Sequence, residues 1–154
     1  MAVEIERKFL VNMNDLPILT DGQLISQGYI ATADNTTVRL RVKGDKGFVT
    51  LKGETVGLSR LEYEYEIPVV EAIEMIDTLC LGRVVSKTRY ELPVGDHVWE
   101  LDVFHGANQG LVVAEVELAD EHEEPDRPSW LGQEVTGQVK YYNSRLIRQP
   151  YSQW

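Results

Sequence analysis

The sequence predicts an α+β fold: an eight-stranded antiparallel β-barrel, a tunnel with a charged interior and helices packed on the outside. Three observations predict it. Short segments of period-two alternation recur along the chain, broken by turn signals such as "ADNT", "KGDKG", "GETVG", "PVGD" and "HGANQG". No long helical crossover separates most of them, which favours antiparallel neighbours. Alternate positions of these segments carry charge while the positions between are apolar. Closure into a barrel removes exposed edges, although segment count alone leaves a sandwich open. The 154 residues suit one domain, 1–154, large enough for a substantial core.

The elements follow in order. A strand near 2–11 ("AVEIERKFLV") places Glu4, Glu6 and Lys8 on one face and Val3, Ile5, Arg7 and Phe9 on the other. A turn lies around Asn14–Ile18, and a second strand near 24–32 contains "QGYI". Strand 36–43 puts Arg39, Arg41 and Lys43 opposite Val38, Leu40 and Val42, and strand 47–53 puts Thr50 and Lys52 opposite Val49 and Leu51. Strand 60–67 alternates Glu62, Glu64 and Glu66 with Leu61, Tyr63, Tyr65 and Ile67. A helix over 69–80 carries Val70, Ile73, Met75, Ile76 and Leu79 at helical spacing. Strand 83–92 groups Val85, Lys87, Arg89 and Glu91; strand 97–105 groups Glu100 and Asp102; strand 111–119 groups Glu115 and Glu117. The pattern then predicts a short helix near Ser129–Glu134 and a final amphipathic helix over 140–148.

Composition removes several functions. A net charge of -10 speaks against a nucleic-acid surface. No apolar run is long enough to span a membrane, and the N-terminal residues do not read as a secretory signal, so the expected location is cytoplasmic. The single cysteine, Cys80, fits a reducing compartment and reads as a core residue. His97, His105 and His122 form no ligand-spaced cluster.

The decisive question is where the charged faces point. Solvent is the usual answer for antiparallel sheets. Here the charges within a strand are same-sign neighbours: Arg39/Arg41, Glu62/Glu64, Lys87/Arg89, Glu115/Glu117. Such pairs repel, and a surface selected for stability mixes signs. The opposite faces are rich enough in Val, Leu, Tyr, Trp and Ile to pack against external elements. Inward-facing charge requires a wet interior with something bound in it. Clustered bases call for a polyanion and clustered carboxylates for a hard divalent cation, which together describe a metal-bound polyphosphate.

These motifs resemble the CYTH domain of the triphosphate tunnel metalloenzymes. "EIERK" matches that family's E-x-E-x-K signature at the N-terminus. "RLR" (39–41), "TLK" (50–52), "EYEYE" (62–66), "KTR" (87–89), "ELD" (100–102), "EVE" (115–117) and "YYNSRL" (141–146) follow in the family's order. E-x-E-x-K alone is weak; the ordered series covers essentially the whole chain.

The resemblance implies a tunnel that holds a linear triphosphate and a divalent metal. Lys8, Arg39, Arg41, Lys52, Lys87 and Arg89 would grip phosphate oxygens. Glu4, Glu6, Glu115 and Glu117 would bind Mg²⁺ or Mn²⁺, with Glu62, Glu64 and Asp102 either supporting those ligands from behind or serving a second metal. Tyr29 and Lys52 match a catalytic pair used by some members, with Lys52 expected at a lowered pKa among other cations and activity best at alkaline pH. The implied reaction is hydrolysis of inorganic tripolyphosphate to pyrophosphate and phosphate, with a small-molecule triphosphate as partner, no nucleic acid and no membrane, and a homodimer left open. Thiamine-triphosphate hydrolysis and a class IV-type adenylate cyclase are the alternatives, both needing an organic pocket for which Trp99 and Trp130 are the aromatic candidates. A non-catalytic polyphosphate or nucleotide binder ranks lower because the carboxylates are present.

Overall fold

Eight strands close into a ring, and a ninth short one extends it. The computed structural model describes residues 2–154. Its strands are β1 (Val3–Val11), β2 (Gln23–Ile30), β3 (Thr37–Lys43), β4 (Lys46–Lys52), β5 (Ser59–Ile67), β6 (Val84–Val94), β7 (His97–Phe104), β8 (Val112–Glu117) and β9 (Leu131–Glu134). Two helices, α1 (Val69–Leu79) and α2 (Asn143–Leu146), complete it. Around the barrel the order is β5-β4-β3-β2-β6-β7-β8-β1, closed by a β1–β5 pairing. Every pairing is antiparallel. The tight hairpins turn at Gly44 and Gly95, whose φ values of 59° would strain any side-chain-bearing residue.

β1 is shared among three neighbours. Val3–Ile5 pair with β5, Glu6–Leu10 with β8, and Phe9 and Val11 with β9, which takes over the edge β5 leaves. The helix expected near Ser129–Glu134 is therefore a strand. A Cβ at Gly132 would stand 3.0 Å from Leu10 O, so the glycine lets β9 lie close against β1.

Three apolar clusters show which face is which. Outside, Phe9, Trp99, Leu101, Ala114, Val116 and Trp130 pack together, joined by Leu16 and Leu19 from the segment after β1. Also outside, Leu40 meets Ile76 and Cys80 of the α1 region, with Val42, Val49 and Ile67 around them. α1 can lie this close because the sheet offers glycines beneath it: a Cβ at Gly28 would stand 2.7 Å from Cys80 Sγ, and one at Gly47 2.8 Å from Ala72 Cβ.

The third cluster modifies the expected picture. Val85, Phe104 and Val113 share the strand faces of Lys87, Asp102 and Glu115, yet they pack with Leu111, Val135, Tyr141 and Leu146. The inward face is charged along most of β6–β8 and apolar where the C-terminal segment covers it. That segment is not one helix over 140–148. A 3₁₀ turn (Val139–Tyr141) and the single-turn α2 are separated by Tyr142, whose φ of -68° and ψ of 133° are extended.

Candidate active site

Side chains from β1, β2, β3, β4, β6 and β8 converge on one cavity of about 110 Å³, lined among others by Glu4, Glu6, Lys8, Tyr29, Arg39, Arg41, Lys52, Lys87, Arg89 and Glu115. Glu62, Glu64, Glu100 and Glu117 line the continuation of the same tunnel, with Lys43. All six bases expected to hold phosphate thus face one interior. So do the expected metal carboxylates, Asp102 excepted, which lies behind the wall with no exposed surface.

Burial makes each charge demand a partner. Asp102 holds Arg89 through two bonds of 2.8 and 2.9 Å and Lys87 at 2.8 Å. Both its oxygens are committed to these cations, so it anchors two bases from behind the tunnel wall. Arg89 also reaches Glu100 at 2.9 Å. Lys52 bridges Glu4 (3.0 Å) and Glu62 (3.1 Å). Lys8 meets Glu115 at 3.4 Å and donates to Tyr141 O at 3.1 Å. Arg39 reaches Glu64 at 3.3 Å, while its Nε is buried with no partner and so has a proton to offer a ligand. Arg41 directs Nε and Nη2 onto the single Oε1 of Gln27, at 3.0 and 2.8 Å.

Titration follows from these surroundings. The Lys87 amine is brought down to about 7, by burial first and then by Arg89 and Arg41, with Asp102 opposing them. Burial and then Arg39 and Arg89 bring Arg41 down to about 10, still protonated at neutrality. Burial, with Glu115 and Glu4 beside it, holds Glu6 well above the ordinary carboxylate range. Glu115 lies well below that range, because Lys8, Arg89 and Lys87 outweigh its burial. The neighbouring Glu115 charge and burial thus favour the protonated form of Glu6, a proton for which a cation would compete.

The expected Tyr29–Lys52 pair is not formed. The Tyr29 hydroxyl accepts from Gln27 Nε2 at 2.7 Å, and Lys52 is occupied by Glu4 and Glu62. Burial acts strongly on another lysine, Lys87. Trp99 and Trp130 are buried in the outer cluster, edge to face, so neither can stack on a ligand in the tunnel. Cys80 is core, as expected. His97 and His105 contact Glu123 and Thr88 and line neither part of the tunnel.

Sequence reasoning missed Gln27, Thr50, Arg60, Glu100 and Asn143 as site residues. Gln27, Thr50, Arg60 and Glu100 were legible, being two positions from Tyr29, Lys52, Glu62 and Asp102 on the same strand faces. Asn143 was not, because its approach to Lys87 depends on the break at Tyr142.

The donors facing the tunnel's acidic part are all carboxylate oxygens, a set suited to a hard divalent cation. As placed, Glu4, Glu62, Glu64, Glu100 and Glu115 turn to lysine or arginine, and among the described residues no three acidic, histidine or cysteine groups stand together as a finished cage. Burial, Glu115 and Glu4 all oppose charge on Glu6, which marks where a cation's charge fits.

A closed antiparallel barrel that gathers six bases and a facing set of carboxylates defines a protein that grips a small polyanion together with a cation. The chain belongs to the CYTH family: the CYTH domain pattern matches residues 2–151. It is 48% identical to an inorganic triphosphatase of Acetivibrio thermocellus, over 98% of this chain and 97% of that one. It is 43% identical to an inorganic triphosphatase of Nitrosomonas europaea, over 93% and 95%. Among solved structures, an inorganic triphosphatase at 38% identity superposes with a TM-score of 0.66 over 96% of this chain and 95% of that one. A Hippeastrum protein described as having a dominant triphosphatase activity shares the fold at 15% identity, with a TM-score of 0.52 over 78% and 80%. A family of metalloenzymes implies a divalent metal here. No helix among the described residues is long and apolar enough to cross a membrane.

Proposed function

We propose that the protein hydrolyses inorganic tripolyphosphate to pyrophosphate and phosphate inside the tunnel, as a divalent-metal-dependent cytoplasmic enzyme using Mg²⁺ or Mn²⁺. One observation carries this reading: six bases and the carboxylates Glu4, Glu6 and Glu115 share a cavity that only a small, highly charged molecule could neutralise.

The chain's own residues divide the work. Arg39, Arg41 and Arg89 present guanidinium forks to phosphate oxygens, and Lys8, Lys52 and Lys87 add point charges. Asp102 keeps Lys87 and Arg89 aimed at the tunnel, and Gln27 does the same for Arg41. Glu4, Glu6, Glu115 and Glu117 would hold the cation, with Glu62 and Glu64 beyond them. When bound, that cation neutralises phosphate charge as a Lewis acid. Water adds to one phosphorus, the phosphoanhydride bond breaks, and the bases stabilise the charge spread over the transferring group. Preorganisation carries most of the rate, since these donors are already fixed by buried partners. Tyr29, held by Gln27 at the cavity wall, orients substrate rather than sharing a proton with Lys52.

The organic alternatives gain nothing from the site: its walls are charged, and the tryptophans that might have held a base or a thiazolium lie elsewhere. Phosphate release should be measured side by side from tripolyphosphate, ATP and thiamine triphosphate, with each metal and with EDTA. Tripolyphosphate should be hydrolysed fastest and EDTA should abolish turnover. Preferential turnover of either organic substrate would overturn the assignment.

A further inference from the structure

The two ends of the tunnel differ in charge. Along β5 the inward residues run from Arg60 to Glu62, Glu64 and Glu66, and along β6 from Lys87 and Arg89 to Glu91. One end is thus lined mainly by carboxylates, with Glu100 and Glu117 added from β7 and β8 and Lys43 the base among them. At the other end lies a second cavity of about 460 Å³, sharing Tyr29, Thr37, Thr55, Arg60, Tyr142 and Ser144 with the tunnel.

Four arginines wall that second cavity: Arg60, Arg83, Arg145 and Arg148. Among the described residues none of them lies within ion-pair distance of a carboxylate, in contrast to Arg39 and Arg89 inside. Asp34 and Glu54 also line it, leaving an excess of positive charge. Arg60 and Arg83 have structural tasks, donating to Gly53 O and Thr37 Oγ1, and to Tyr29 O and Leu79 O. Arg145 and Arg148 are exposed, and their guanidiniums have no hydrogen-bond partner among the described residues. Nothing in the fold accounts for them.

We propose that this arginine-walled cavity is the entrance by which anionic substrate reaches the tunnel, with Arg145 and Arg148 drawing it in. A trianion or tetra-anion approaching a chain of net charge -10 meets repulsion over most of the surface. Screening over about 8–10 Å makes the charges at the mouth decide the approach. Attraction at such a mouth raises association by about 10- to 1,000-fold at low salt. The carboxylate-lined end keeps its outer acids, Glu66 and Glu91, negative whether or not a cation is held further in, and offers no such attraction.

The inference rests on the tripolyphosphatase reading and deepens it. Its test compares the wild type with Arg145→Glu/Arg148→Glu and with Glu66→Lys/Glu91→Lys at the opposite end. Tripolyphosphate turnover is followed by steady-state kinetics and its association by stopped flow. At about 0.02 M ionic strength, the arginine variant should lose about tenfold in kcat/KM and in association rate, with kcat within about twofold; the gap should close towards about 0.5 M. The Glu variant should show no such loss. The proposal is overturned if the arginine variant matches the wild type at low salt, if its loss is indifferent to salt, or if the Glu variant alone changes association. The single Arg148→Glu change, on an exposed side chain, gives the same reading at smaller amplitude should the double variant fold poorly. A wild type that binds tripolyphosphate with salt-sensitive kinetics without cleaving it would refute the activity and leave the route standing.

Discussion

Lys87 shows how a single side chain is prepared for its task. Its amine is buried, and two of its three N–H groups are fixed by Asp102 Oδ2 at 2.8 Å and Asn143 Oδ1 at 3.0 Å. One donor is left for a phosphate oxygen. Replacing Asp102 would strand two buried cations at a cost of about 3–5 kcal/mol, confusing folding with function. Asn143 is the cleaner probe, being a neutral acceptor at the edge of the cavity. A hydrogen bond to a charged group contributes about 1.5–3 kcal/mol, so Asn143→Ala should lower kcat/KM for tripolyphosphate by at least about tenfold. The pH dependence carries a sign. With the Lys87 amine lowered to about 7 and phosphate binding its protonated form, kcat/KM should fall as pH rises through that value, in place of the alkaline optimum expected of a Tyr29–Lys52 pair. Asn143 supports the ammonium, so its loss should move this fall to lower pH, visible in kcat/KM profiles of the two proteins. An unshifted profile would assign Asn143 a merely structural role.

At the scale of elements, α1 depends on two absent side chains. Gly28 and Gly47 face outward beneath it, and a methyl at Gly28 would meet Cys80 Sγ at 2.7 Å. Overpacking of this kind costs about 1–3 kcal/mol. Gly28→Ala should therefore lower Tm by several degrees in a thermal melt, and adding Cys80→Ala should recover part of the loss. The strands of the barrel were legible because a period of two is insensitive to small errors at the ends, and their same-sign charge pairs already pointed inward. β9 was not: Trp130, Leu131 and Val135 mimic helical spacing, and only the pairing with Phe9 and Val11 makes a strand of "LGQE". The C-terminal segment misled for a related reason. Its amphipathic pattern is real, with Tyr141 and Leu146 buried, yet Lys8 and Lys87 are satisfied by Tyr141 O and Asn143, which a continuous helix would hold elsewhere. The site divides the same way. Residues on strand faces could be read from spacing, whereas the uses of Asp102 and Tyr29 depend on which neighbour reaches them first.

For the whole molecule, the tunnel is a store of electrostatic repulsion that binding relieves. Glu6 carries the largest unfavourable carboxylate share, since burial, Glu115 and Glu4 all oppose its charge. Its folded pKa lies above its unfolded value, so the folded state binds more protons and stability declines as pH rises from about 4.5 through the folded value. Glu6→Gln removes that decline. In the presence of EDTA near neutral pH, the variant should melt at least about 2–4 °C above the wild type, the shift expected for 1 kcal/mol in a chain of this size. Added Mg²⁺ or Mn²⁺ should reverse the order, raising the wild-type Tm by binding the folded state while leaving the variant nearly unmoved. The comparison reads stability rather than turnover, so it examines the cation site independently of the reaction. Equal metal-induced shifts in both proteins would place the cation away from Glu6, and a variant no more stable than the wild type in EDTA would mean that the carboxylates do not repel one another as their burial implies.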